Sequence, residues 1–191
     1  MRTALNFLYK LSGALGAFFL CLILVSVLAQ VSLNIIDRIA KWLTGEPIGL
    51  LIPSYADFAG YFLAAGTFFA LAYSFNHGAH IRVNLLLLRM PNPMRRAAEI
   101  WASGIAFLMS IYFAYWAANL MHESWRFGDV STGLVSIKLW IPQLAMTTGL
   151  CVLTIATLDA FLQNLRGQEP EYLSSTVEMD GFDEKIGIGH E

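Results

Sequence analysis

Four stretches of the chain run without a single charged side chain: residues 11–36, 58–76, 100–121 and 139–158. A helix rises about 1.5 Å per residue, so about 20 residues cross the roughly 30 Å hydrocarbon layer of a bilayer. Each stretch meets that length. Lipid offers backbone N–H and C=O groups no water, so each stretch must bond within itself as a helix. The pattern predicts an all-α integral membrane protein with four transmembrane helices, over about 11–34, 56–77, 97–121 and 139–162, within a membrane domain of residues 1–166. The first stretch follows the basic residues Arg2 and Lys10, and Val27-Leu28-Ala29 has the small-residue look of a leader cleavage site. Its apolar run exceeds the roughly 7–15 residues of a signal core, and it reads as an uncleaved anchor.

Two shorter apolar segments do not span. At about 100° per residue, residues 35–43 place Ile35, Ile36, Ile39, Trp42 and Leu43 on one side and Asp37, Arg38 and Lys41 on the other. This predicts a short helix on the outer membrane surface, ended by Thr44-Gly45 and Pro47. Residues 80–90 behave differently, with His80 and Asn84 on one side, Arg82 and Arg89 opposite, and leucines between. A segment polar on two sides suits neither lipid nor water alone, so it is expected to pack against other protein on the cytoplasmic side, with Leu85 and Leu88 as anchors. Pro91-Asn92-Pro93 then breaks the chain before the third helix.

Composition agrees with this pattern: 57% of residues are hydrophobic and 14% charged, against about 25% charged in soluble domains. Net charge is −2, but seven acidic groups and only Lys185 fall in residues 167–191. The rest holds eleven basic and seven acidic groups. The acidic end has few apolar anchors and is expected to be a disordered cytoplasmic tail. Lysine and arginine set orientation. Arg2, Lys10, Arg82, Arg89, Arg95, Arg96 and Arg166 share one side, and Arg38, Lys41, Arg126 and Lys138 the other. Seven against four predicts both termini in the cytoplasm. Trp42, Trp116, Trp125 and Trp140 fall near outer helix ends, at headgroup depth, with Trp101 near the inner one.

Candidate chemistry narrows the picture mainly by what the spans omit. None of the four stretches holds Asp, Glu, Lys, Arg or His, whereas a solute path needs polar groups at the bilayer centre. Asp57 and Asp159 lie at helix edges. A small exporter would want a carboxylate within a span. A membrane cytochrome would want facing histidines, but His77 and His80 are on the inner side, His122 is at an outer helix end and His190 is in the tail. These two remain the alternative, a standalone four-helix membrane protein. Cys21 and Cys151 sit in apolar runs and read as small packing residues, with no metal cluster or disulfide partner in view. Small residues recur four apart: Ser12 and Gly16, Gly13 and Ala17, Gly60 and Ala64, Gly66 and Ala70, Ser110, Ala114 and Ala118, and Ala145 and Gly149. That spacing lets helix backbones approach closely in lipid.

Two stretches sharpen the reading. Gly66 is followed by Asn76-His77-Gly78-Ala79-His80-Ile81-Arg82-Val83-Asn84-Leu85, and Gly128-Asp129-Val130-Ser131-Thr132-Gly133 leads to Leu139-Trp140-Ile141-Pro142-Gln143. With four spans and cytoplasmic ends, the chain resembles the small membrane subunit (DctQ type) of tripartite ATP-independent periplasmic (TRAP) transporters, from roughly Leu11 to Arg166. It departs from the family pattern at Asn84, where an acidic residue is usual, and at Asp57, where Glu is common. The resemblance implies a non-catalytic subunit of a sodium-coupled symport system in a bacterial inner membrane. Its implied partners are a large membrane subunit that binds substrate and moves, and a periplasmic binding protein that delivers an organic acid. Membrane lipids surround the helices, and neither cofactor nor nucleic acid is expected. Gly66, His80, Arg82, Asn84, Leu85, Leu88, Trp140 and Pro142 carry the motif or subunit contacts. Two readings stand for His80 and Arg82: a polar contact to the large subunit or anionic headgroups, or a helix cap with inner-side positive charge. Trp140 and Pro142 mark the outer start of helix four, where Pro in a first turn costs no hydrogen bond.

Overall fold

Each of the four apolar stretches forms the body of one helix. In the computed structural model, which describes residues 2–76 and 92–166, the helices are α1 (Arg2–Thr44), α2 (Tyr55–Asn76), α3 (Asn92–Phe127) and α4 (Trp140–Arg166). All four are long and apolar enough to cross a membrane. Residues 77–91, with the expected cytoplasmic segment, and 167–191, with the acidic tail, lie outside the described residues.

The expected separate outer helix over residues 35–43 is not formed. Those residues continue α1 without a break, giving one helix of 43 residues. The reason is local: Asp37, Arg38 and Lys41 leave the apolar pattern but no Gly or Pro interrupts the helix before Gly45. Gly45 stops it, with φ at 85° and its N–H donating to Lys41 O at 2.9 Å. Such a left-handed residue closes off helix carbonyls at low steric cost only when it lacks a Cβ. Arg2–Thr44 is therefore about 64 Å long at 1.5 Å per residue.

α2 opens at Ser54, whose carbonyl accepts from the N–H groups of Asp57 and Phe58. Asp57 sits in the first turn, where a carboxylate favours the positive end of the helix dipole. α3 ends against Gly128, at φ 70°. The α3–α4 connection is a short antiparallel hairpin, with Val130 bridged to Lys138 and Leu139 N–H donating to Asp129 O.

The helices pack in the order α1–α2–α4–α3, with α1 leaning lightly on α4. Glycine decides the close approaches. At the α1–α2 crossing a Cβ on Gly16 would lie 3.1 Å from Gly66 O and Ala70 N, and one on Gly66 would lie 3.3 Å from Gly16 O. Ser12 Oγ donates to Phe69 O across the same seam, and Phe19 stacks on Phe69 at 6.0 Å. Gly149 of α4 abuts the backbone of Phe68 in α2. Ala114 and Ala117 of α3 pack with Leu150 of α4, flanked by Phe68, Met146 and Leu153. Other small residues stay outside these seams: Gly60 meets nothing within 4 Å. Cys21 and Cys151 also differ from the buried packing role expected of them, because both are exposed on the helix surface.

Polar side chains stitch α3 to α4. Ser110 and Thr157 share a 2.8 Å hydrogen bond near the middle of the pair, and Asn164 Nδ2 donates to Ser103 Oγ at 3.1 Å. Helix-to-helix bonds of this kind are worth about 0.6 kcal/mol on average in membranes. A double-mutant cycle of Ser110→Ala and Thr157→Val, followed by reversible unfolding in mixed micelles, should give a coupling of about that size. Strict additivity of the two changes would show that the bond contributes nothing.

Candidate functional site

The candidate functional feature among the described residues is the surface itself. Only 33% of the apolar window of α4 is buried, and 11% of that of α1. α1 exposes Phe18, Leu24, Val25, Leu28, Ile35 and Ile39 along its length. α3 carries a run of exposed aromatics in its C-terminal half, where Tyr112, Phe113, Tyr115 and Trp116 meet edge to face at 5.8–6.3 Å. Apolar faces of this extent need lipid or another protein against them.

A second set of polar groups fastens the α1–α2 and α3–α4 connections. Gln30, 6% exposed, accepts from Ile52 N–H at 2.9 Å and donates to Asn34 at 3.2 Å. Asp37 accepts from Gly49 N–H at 2.7 Å, so the α1–α2 connection is folded back on α1. Ser54 Oγ accepts from Val135 N–H at 3.0 Å, which ties the start of α2 to the α3–α4 hairpin. Gly133 lies so close that a Cβ there would collide with the Asp57 carboxylate. This explains why a glycine stands at the tip of that loop, and gives Asp57 a structural place at the N-terminal end of α2. Among the described residues no group of three or more His, Cys, Asp or Glu is placed to hold a metal ion.

Of the residues the sequence singled out, Gly66 is buried between α1 and α2 within the chain. Trp140 begins α4 and Pro142 falls in its first turn, beside Ile141 N–H donating to Lys138 O and Gln143 N–H donating to Leu139 O. The ring nitrogen of Pro142 thus occupies a position that demands no donor. His80, Arg82, Asn84, Leu85 and Leu88 lie outside the described residues. The structure adds Gln30, Ser54 and Asp37 as fasteners of the connections. For Gln30 alone the sequence carried a signal, a lone Gln inside the first apolar run, because an amide in lipid needs a partner.

A family model described as tripartite ATP-independent periplasmic transporters, DctQ component, matches residues 49–167. That match spans more than half of the chain and takes in α2, α3 and α4. The chain belongs to this family. No curated protein matches it. As a DctQ component the chain is a small membrane subunit of a TRAP transporter, and the family implies that it works with other subunits. The family is one of transporter components, not of catalysts in general. All of α1 precedes the match, so the Gln30–Ile52 and Asp37–Gly49 fastenings join residues before the matched region to its first few.

Proposed function

We propose that this DctQ component is the non-catalytic small subunit of a sodium-coupled TRAP transporter in a bacterial inner membrane, with both termini in the cytoplasm. It packs against and stabilises the scaffold of a large membrane subunit. That subunit takes up an organic acid delivered by a periplasmic binding protein. The observation that carries this reading is the open order α1–α2–α4–α3. α1 and α3 stand at the margins, and each packs fully against one neighbouring helix only. A protein whose margins are apolar and whose polar side chains largely fasten its own helices and loops is suited to support a neighbour rather than to carry a solute. The seven-to-four excess of Lys and Arg supports the orientation, and the spans' lack of charged groups supports a reading in which the partner holds substrate and sodium.

Isolation of the tagged full chain from its own cells in mild detergent is expected to bring down one large multi-span protein in fixed proportion. Consistent recovery of the chain alone, from cells whose organic-acid uptake is intact, would sink this reading.

A further inference from the structure

We propose that the Arg96 end of the α3–α4 pair is a binding site for one anionic phospholipid, with an acyl chain seated in a groove between the two helices and the phosphate at Arg96 and Arg166. The groove is open, holds about 210 Å³, and is lined by Ile100, Trp101, Gly104, Ile105, Leu108 and Phe161. It exists because Gly104 lacks a side chain: a Cβ there would already lie 3.2 Å from the ring of Phe161. Behind it Phe161 stacks on Phe107 at 6.4 Å, so the floor is held by packing and does not collapse into the gap.

Charge complementarity selects the occupant. Arg96 and Arg166 are both exposed, and Arg96 donates to Leu165 O at 3.4 Å, which sets its guanidinium over the last turn of α4. Arg96 precedes Ile100 by one helical turn, about 6 Å, and Arg166 follows Phe161 by five residues. Two cations therefore cap the same end of the α3–α4 pair, beyond the apolar slot. Trp101, 73% exposed, is part of the groove wall, where an indole N–H suits ester oxygens and its ring suits hydrocarbon. The nearby carboxyl group, Glu99, is only partly exposed and already engaged. A partner helix would need a longer apolar stripe than these six residues provide. The site is independent of the transport role above, because this end of the pair meets a membrane surface in either orientation.

The test uses the full chain in lipid nanodiscs of phosphatidylcholine containing a minor share of phosphatidylglycerol, with bromine on the acyl chains of one lipid or the other. The Trp101 signal is the difference between the parent chain and Trp101→Phe. Bromine on phosphatidylglycerol should quench Trp101 about tenfold more per lipid than bromine on phosphatidylcholine, in line with about a few-fold to tenfold per arginine at a charged surface. Arg96→Gln with Arg166→Gln should make the two lipids equal, and Gly104→Leu, which fills the groove and keeps both cations, should do the same. Equal quenching in the parent means surrounding lipid only and overturns the proposal, as does a preference that survives either variant. Shielding of Trp101 from both lipids when the large subunit is copurified would assign the groove to a protein helix, and would overturn it as well.

Discussion

Gly149→Ala is expected to destabilise the chain by about 3 kcal/mol, the upper part of the usual range for overpacking. The added carbon would lie 2.7 Å from the Phe68 carbonyl carbon, 2.8 Å from its oxygen and 2.9 Å from its Cβ. Two of those three atoms are main chain, so no rotamer change relieves the clash, and α2 must move away from α4 as a body. That shift also pulls Phe68 from the cluster of Ala114, Ala117 and Leu150, so one methyl group loosens two helix seams. The contrast is Gly104→Ala, whose new carbon meets only the far edge of the Phe161 ring, at 3.2 Å. Tilting that ring suffices, and the change should cost well under half as much. Reversible unfolding in mixed micelles measures both. A Gly149→Ala chain within about 0.5 kcal/mol of the parent, the scatter of ordinary surface changes, would mean that α2 and α4 are not in this close contact.

The second large effect lies in α2. Gly66→Leu should separate α1 from α2, because its Cβ would begin 3.3 Å from both Gly16 O and Phe19 Cβ and the rest of the side chain has nowhere to go. Ser12 would lose Phe69 O, and the Phe19–Phe69 stack would open. Loss of about 2 kcal/mol or more is expected, within the range of forced overpacking. Gly60→Leu, six residues earlier on the same helix, adds the same side chain where nothing lies within 4 Å and should be close to neutral. The pair separates a helix-propensity effect, which the two share, from a packing effect, which only Gly66 has. Equal losses in both variants would refute the α1–α2 seam.

The four helices were legible because lipid leaves the backbone one solution, and an uncharged run of sufficient length announces it. Their ends were less so. The continuation of α1 to Thr44 was hidden because Asp37, Arg38 and Lys41 mark an exit from lipid, which the sequence expresses in the same letters whether the helix turns aside or carries straight on. Glycine spacing pointed to Gly16, Gly66 and Gly149, yet Gly60 shares the pattern and touches nothing, since a four-residue interval says which residues share a face but not which face meets a neighbour. The cysteines illustrate the same gap. In water an apolar run implies an interior, whereas in lipid most of it faces outward, so Cys21 and Cys151 are exposed at positions that looked buried. The fastenings of the connections were the least visible. Gln30 and Ile52, Asp37 and Gly49, and Ser54 and Val135 are separated in sequence, and each of the three bonds ends on a backbone N–H that almost any residue could supply.

The serial order of the helices has a consequence for how such a subunit is built into a larger machine. A closed ring must be pried open before a newcomer can touch its inner faces, whereas a row presents its flanks from the start. Under the proposed reading, docking along α1 or α3 would leave the Gly149–Phe68 contact untouched, so a partner could be added laterally to a part that is already folded.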